Sequence, residues 1–261
     1  MKFTTSAAVL LLANVAVASP LASRAAARGV STRRTAVNHR NVTFDQQSSN
    51  WGGAVIVDTD ITQVTGTFTV PQPSVPSGGN SGTQYCGAAW VGIDGDTCQS
   101  GLIQTGVFWC VQDGSYSYEA WYEYIPAASI AYSGIDVSAG DVITVTVTRD
   151  GTNGGTTTFE NTSNGQQGSH TFSGQTDGTL CGTNAEWIVE DFEEGFSLVP
   201  FANFGTVTFT GSTAIVGGSG PVKRPIDFLA NIQCFFTNIL PIRINRLLAN
   251  LICQMNQPRG L

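Results

Sequence analysis

Residues Thr183 to Glu194 read TNAEWIVEDFEE, which sets carboxylates at Glu186, Glu190, Asp191, Glu193 and Glu194 among large apolar side chains. Read as an extended strand, this stretch places Glu186, Ile188, Glu190 and Phe192 on one face and Trp187, Val189 and Asp191 on the other. The same alternation groups Glu119, Trp121, Glu123 and Ile125 within Ser117–Ile125. It also groups Trp90, Gly92 and Asp94, and again Leu102, Gln104, Gly106 and Phe108. Several strands therefore each offer a face that mixes acids or amides with Trp or Phe. Burying an unpaired charge is costly, so faces of this kind line a cleft or meet water rather than fill a core.

From about 50 to 211 the chain is a series of short β-runs punctuated by Gly, Ser, Thr, Asn and Asp. They are Ala54–Asp58, Val64–Val70, Ala88–Ile93, Leu102–Trp109, Tyr116–Ile125, Val142–Arg149, Thr156–Glu160, Glu186–Phe192 and Thr206–Thr210. Many are rich in Thr, Val and aromatics and alternate with period two, without a convincing helix or internal repeat. That pattern predicts an all-β fold, a single antiparallel two-sheet β-sandwich over residues 48–220.

The charges are segregated. Six of the 12 basic residues (Lys2, Arg24, Arg28, Arg33, Arg34 and Arg40) precede residue 48, and five follow residue 220. Arg149 is left alone among 17 acids between 48 and 220. So acidic a body argues against nucleic acid or an anionic membrane as a partner. It also repels itself at neutral pH, and this repulsion is relieved as carboxylates protonate near pH 3–4.

Lys2 followed by the apolar run Ala7 to Ala18, with Ala16 and Ala18 at the −3 and −1 positions, reads as a signal peptide (1–18) cut before Ser19. The run is too short to span a bilayer, so a secreted, extracellular protein is expected. Residues 19–47, rich in Ala, Arg and Ser, read as a removable pro-segment. Its positive charge suits it to sit on an acidic cleft as an inhibitor until low pH weakens the attraction. Asn41 and Asn161 head glycosylation acceptor triplets. Six cysteines suit an oxidising compartment, and Cys86, Cys98, Cys110 and Cys181 in the body allow three pairings. No Cys-x-x-Cys occurs and there are two histidines, so no metal site is expected.

After Gly220 the composition shifts to Ile, Leu, Phe and Asn. Ile244, Leu247, Leu248, Leu251 and Ile252 fall at helical spacing, with Pro241 interrupting the run, so 221–261 reads as a divergent, helical tail. Arg243 and Arg246 inside it argue against a membrane span.

With His39 in the pro-segment and His170 in a Gly/Ser-rich loop, no histidine is placed to serve a nucleophilic triad. Acid–base chemistry then falls to carboxyl groups. Five ordered words sharpen this: Ser49-Asn50-Trp51-Gly52-Gly53, Ala89-Trp90-Val91-Gly92-Ile93-Asp94-Gly95, Ile103-Gln104-Thr105-Gly106, Ala120-Trp121-Tyr122-Glu123, and Asn184 to Glu193. Together with Val199-Pro200-Phe201-Ala202, they closely resemble the fungal glutamic peptidases, or eqolisins, over roughly residues 48–211.

The resemblance implies a concanavalin-like β-sandwich and a Gln/Glu catalytic pair, here Gln104 and Glu190, hydrolysing polypeptide substrates at acid pH as a monomer without a cofactor. Substrate-binding positions fall on Trp90, Asp94, Trp121, Glu123 and Phe192. The pairings Cys98–Cys181 and Cys86–Cys110 follow from the same pattern, with Cys234 and Cys253 unassigned. Ile125 stands where relatives commonly place an aromatic. The family pattern also implies further strands after Thr210, which the tail does not resemble, and without them a sheet edge would stay open. Two alternatives use the same acids and aromatics. One is a carbohydrate-active sandwich with Glu123 and Glu190 as its carboxyl pair, and the other a lectin-like domain without catalysis.

Overall fold

The computed structural model describes residue 48, residues 50–195 and 197–217, and three strands beyond them. The signal peptide 1–18, the pro-segment 19–47, His39 and Asn41 lie outside the described residues. In chain order the first strands are β1 (Trp51–Val57), β2 (Ile61–Thr69), β3 (Tyr85–Ile93), β4 (Leu102–Gln112), β5 (Ser115–Ile125) and β6 (Ile130–Ala131). Then come β7 (Val142–Asp150), β8 (Gly154–Asn161), β9 (Gln166–Phe172) and β10 (Asn184–Glu190). A short ribbon, β11 (Glu193–Glu194) with β12 (Ser197–Leu198), precedes β13 (Thr206–Gly217). Last are β14 (Lys223–Asp227), β15 (Asn231–Phe236) and β16 (Asn250–Met255).

Two sheets form the sandwich. The front sheet has the order β1-β10-β3-β4-β5-β6, all antiparallel, and the back sheet β16-β15-β13-β2-β7-β8-β9. Strict alternation builds the core between them. In β7, Ile143, Val145 and Val147 are fully buried, while the threonines between them face outward. Thr65 bonds Thr146 at 2.9 Å and Thr67 bonds Thr144 at 2.8 Å, cross-strand pairs that tie β2 to β7 on the outer face. The front sheet contributes Ala89, Val91, Ile103, Val107, Trp109, Ala185, Trp187 and Val189 to the same core. Its opposite face carries a second apolar cluster with Trp90, Leu102, Phe108, Trp121, Ile125, Ile188 and Phe192. One sheet thus has two buried faces, whereas alternation with its mixed acids and aromatics leads one to expect an outer face that lines a cleft or meets water.

Three expectations change. His170 does not sit in a loop. It lies on β9, whose residues alternate between half-buried and exposed, and its ring stacks on Tyr122 at 4.2 Å across the sandwich edge. Gly168, which made this stretch look like a loop, is small because a Cβ there would meet Tyr132 at 2.6 Å. The helical spacing over Ile244–Ile252 falls mostly outside the described residues, and its last residues, from Asn250, are extended in β16. Finally, the free edge of β13 is covered: β14 pairs its C-terminal half and β15 its N-terminal half, and β16 pairs β15 in parallel.

Candidate active site

The strand register sorts the outer face of the front sheet into rows. Glu186, Gly92, Gln104 and Glu123 lie directly opposite one another on β10, β3, β4 and β5. Two residues along come Ile188, Trp90, Gly106 and Trp121. Two further, Glu190, Ala88, Phe108 and Glu119 line up, with Trp51 of β1 beside Glu190. Gly106 is required between the two tryptophans, because a Cβ there would meet Cβ of Trp90 at 2.7 Å. The ring of Phe108 stacks on Trp121 at 4.5 Å and meets Phe192 at 4.9 Å, and Trp51 meets Trp90 edge-on at 5.1 Å. An aromatic floor therefore separates carboxyl groups at its corners.

Two polar contacts order the centre. The indole Nε1 of Trp90 donates to Oε2 of Glu190 at 2.8 Å. Nε2 of Gln104 donates to Oε2 of Glu123. A carboxylate accepts and an amide nitrogen donates, so Glu123 fixes which way round the Gln104 amide sits. The Oε1 of Gln104 is buried without a hydrogen-bond partner. Gln104, Glu123 and Glu190 are 1%, 1% and 3% exposed, so these groups are removed from bulk water. Electrostatic interactions between them are stronger for it.

Asp94 behaves differently from the expectation of strand parity. Strand β3 ends at Ile93, and Asp94 adopts φ 69°, which turns it away from the face occupied by Trp90. Its carboxylate instead accepts from the backbone N–H groups of Cys181 and Gly182 at 2.8 Å each, of Thr183 at 2.7 Å and of Asn184 at 3.3 Å. The Thr183 hydroxyl adds a fifth contact at 3.2 Å. In return the Asn184 side chain accepts from the backbone of Thr97 and Cys98. The Cys98–Cys181 disulfide closes the same junction, and Cys86–Cys110 bridges directly opposed residues of β3 and β4. Asp94 thus holds the entry to the strand that carries Glu186 and Glu190.

Asn161, which heads an acceptor triplet, sits inside the fold. It is fully buried, its amide nitrogen donates to the Asp136 carbonyl and to Asp141, and its Oδ1 accepts from Ser163 N. Sequence reading left three neighbours of the site unassigned: Glu186 and Glu119, which alternation had put on the right face, and Asp191. The Asp191 carboxyl is buried beside Glu190, and desolvation first, then the Glu190 charge, pushes its pKa up to about 8.

The family model described as the peptidase A4 family matches residues 49–231. Aspergillopepsin-2 of Aspergillus niger is 45% identical over 249 residues, covering 84% of this chain and 88% of that protein. Scytalidopepsin B of Scytalidium lignicola is 41% identical over 226 residues, covering 80% and 84%. Among solved structures, a scytalido-glutamic peptidase with a transition state analog inhibitor aligns with a TM-score of 0.57 at 46% identity, covering 64% of this chain and 80% of that one. A second, SCP-B of the eqolisin family in complex with the tripeptide Ala-Ile-His, aligns with a TM-score of 0.54 at 38% identity, covering 70% and 91%. The match spans the strands that build both rows of acids and the aromatic floor between them, and the chain belongs to the peptidase A4 family.

Proposed function

We propose that this chain is a secreted acid endopeptidase in which Glu190 and Gln104 form the catalytic pair. Glu190, as carboxylate, takes a proton from the water that attacks the peptide carbonyl and returns it to the leaving nitrogen. Gln104 donates an N–H to the oxyanion as it develops. An amide suits that task because it is neutral at any pH, and removing one such donor typically slows reaction about a hundred- to a thousandfold.

The observation that carries this reading is the clamp on Gln104. Glu123 engages its amide nitrogen, which has a second hydrogen to offer, on the same buried sheet face as Glu190. Trp90 holds Glu190 by one carboxylate oxygen, which fixes the orientation of the acid on that face. Trp121, Phe192 and Ile125 supply apolar walls for an extended polypeptide. The relatives' names, which denote peptidases, support the reaction class.

The basic pro-segment, with Arg24, Arg28, Arg33, Arg34 and Arg40, has the charge to engage the acidic body at neutral pH and to leave it as carboxylates protonate. The mature enzyme is expected to act as a monomer. Assays of the secreted, acid-treated protein on a denatured protein and on a β-glucan at pH 3–4 test the reading. Cleavage of the protein alone is expected, and glucan hydrolysis with no proteolysis would overturn it. Terminal sequencing of the secreted product checks the leader and pro-segment boundaries.

A further inference from the structure

Glu190 and Gln104 stand on β10 and β4, which are not bonded to each other. Strand β3 lies between them and offers Ala88, Trp90 and Gly92 to the site. The spacing of the pair is therefore set through the front sheet and whatever holds its strands in place. Behind each of the two strands, on the core side, a buried polar contact runs to the back sheet.

Behind Gln104 is its chain neighbour Thr105. Thr105 Oγ1 donates to the carbonyl of Trp121 at 2.8 Å and lies 3.2 Å from the hydroxyl of Tyr132. The single Tyr132 hydroxyl proton is shared between two acceptors, Oγ1 of Thr105 and, at 2.9 Å, Oγ1 of Thr157 on β8. Thr105 and Thr157 are fully buried, and Tyr132 is 8% exposed within the apolar core. Burial holds the Tyr132 hydroxyl protonated, its pKa pushed up to about 12 despite the two threonines. Three residues before Glu190 on the same strand, Trp187 projects from β10 into the core, and its Nε1 donates to the carbonyl of Thr65 on β2 at 2.8 Å. The back sheet makes room with Gly66, where a Cβ would meet Cδ1 of Trp187 at 2.7 Å.

We propose that Thr105, Tyr132 and Thr157 on one side, and Trp187 on the other, are positioning residues that pin the amide strand and the acid strand to the back sheet and so fix the distance between Gln104 and Glu190. Polar groups in a sandwich core are high-stakes, because an unmatched one is costly, whereas fully paired they hold one geometry. Catalysis by an acid and an amide on separate strands depends on that geometry, since a displacement of about 1 Å can cost a hundredfold in rate. The inference rests on the assignment of Glu190 and Gln104 as the reacting pair.

The test compares Thr105→Val, which keeps the shape and removes the hydroxyl, with Thr105→Ser, which keeps the hydroxyl and removes a methyl. Tyr132→Phe and Trp187→Phe are measured alongside. Each is made in the full chain, acid-treated, and assayed on a denatured protein at pH 3–4 for kcat, KM and Tm. In Thr105→Val, Tyr132→Phe and Trp187→Phe, kcat is expected to fall by about tenfold or more with KM within about twofold. Thr105→Ser is expected to retain kcat even though it loses buried volume. Unchanged kcat in the hydroxyl-less variants, with only Tm lowered, would overturn the inference, and so would equal losses of kcat in Thr105→Val and Thr105→Ser. Should Thr105→Val fail to fold, Tyr132→Phe carries the same comparison against the parent. A Glu190→Gln control separates the two levels. Cleavage that persists there overturns the assignment of the pair and this inference with it, whereas loss there beside unaffected pin variants overturns this inference alone.

Discussion

The indole nitrogen of Trp90 holds one carboxylate oxygen of Glu190 at 2.8 Å, from the neighbouring strand of the same sheet. The bond fixes the rotamer of a nearly buried acid within an aromatic floor. Trp90→Phe keeps most of the packing against Trp51 and removes the donor. Its kcat on a denatured protein at pH 3–4 is expected to fall about ten- to a hundredfold with the fold intact. Full activity in a correctly folded Trp90→Phe would show that this contact is packing alone.

Asp94 collects four backbone N–H groups from residues 181–184 on one carboxylate. Hydrogen bonds to a charged group contribute about 1.5–3 kcal/mol each at most, and they are not additive. Asp94→Asn replaces an acceptor that serves all four with an amide that must turn a donor toward some of them. A loss of about 3 kcal/mol in unfolding free energy is expected, read from urea denaturation at pH 4. A change within about 0.5 kcal/mol, the range of ordinary surface substitutions, would contradict this role.

Asp191 sets a direction for stability against pH. Its carboxyl ionises near 3.8 in an unfolded chain and at about 8 in the fold. Between those values the native state holds a proton that the unfolded state has lost, so stability falls as pH rises. The slope from this group is at most about 1.4 kcal/mol per pH unit. Between about pH 4 and 8 stability is therefore expected to decline, with a shallower decline in Asp191→Asn. Thermal unfolding midpoints between pH 3 and 8 measure both, and identical slopes would remove Asp191 from the account.

Asn161 is expected to carry no glycan, because both ends of its amide are engaged inside the fold. Peptide mass analysis of the secreted protein decides this, and a glycan on Asn161 would contradict the buried geometry.

Much of the site was legible from alternation alone. The parity of Glu186–Phe192, of Glu119–Ile125 and of Leu102–Phe108 assigns the acids, the amide and the aromatics to one face, and the two apolar clusters on either side of the front sheet follow that division. Parity stops informing where a strand stops. Asp94 lies one residue beyond β3 with φ 69°, a turn that period-two reading cannot register. The row that sets Glu186, Gln104 and Glu123 side by side needs strand order and register, which depend on contacts far apart in the chain. Strand β9 was hidden because Gly168 is dictated by Tyr132 and Ile135 packed against it, not by local preference. The burial of Asn161 was invisible for the same reason, since the Asp136 and Asp141 groups that enclose it come from a distant loop.

The central claim is that Glu190 is the acid that acts on water. The most direct measurement is the rate of cleavage of a denatured protein at pH 3–4 by acid-treated parent and by Glu190→Gln, a change that keeps shape and burial and removes only the base. Cleavage by the parent and a loss of about a thousandfold or more in the variant are expected. Equal rates in the two proteins would contradict the account.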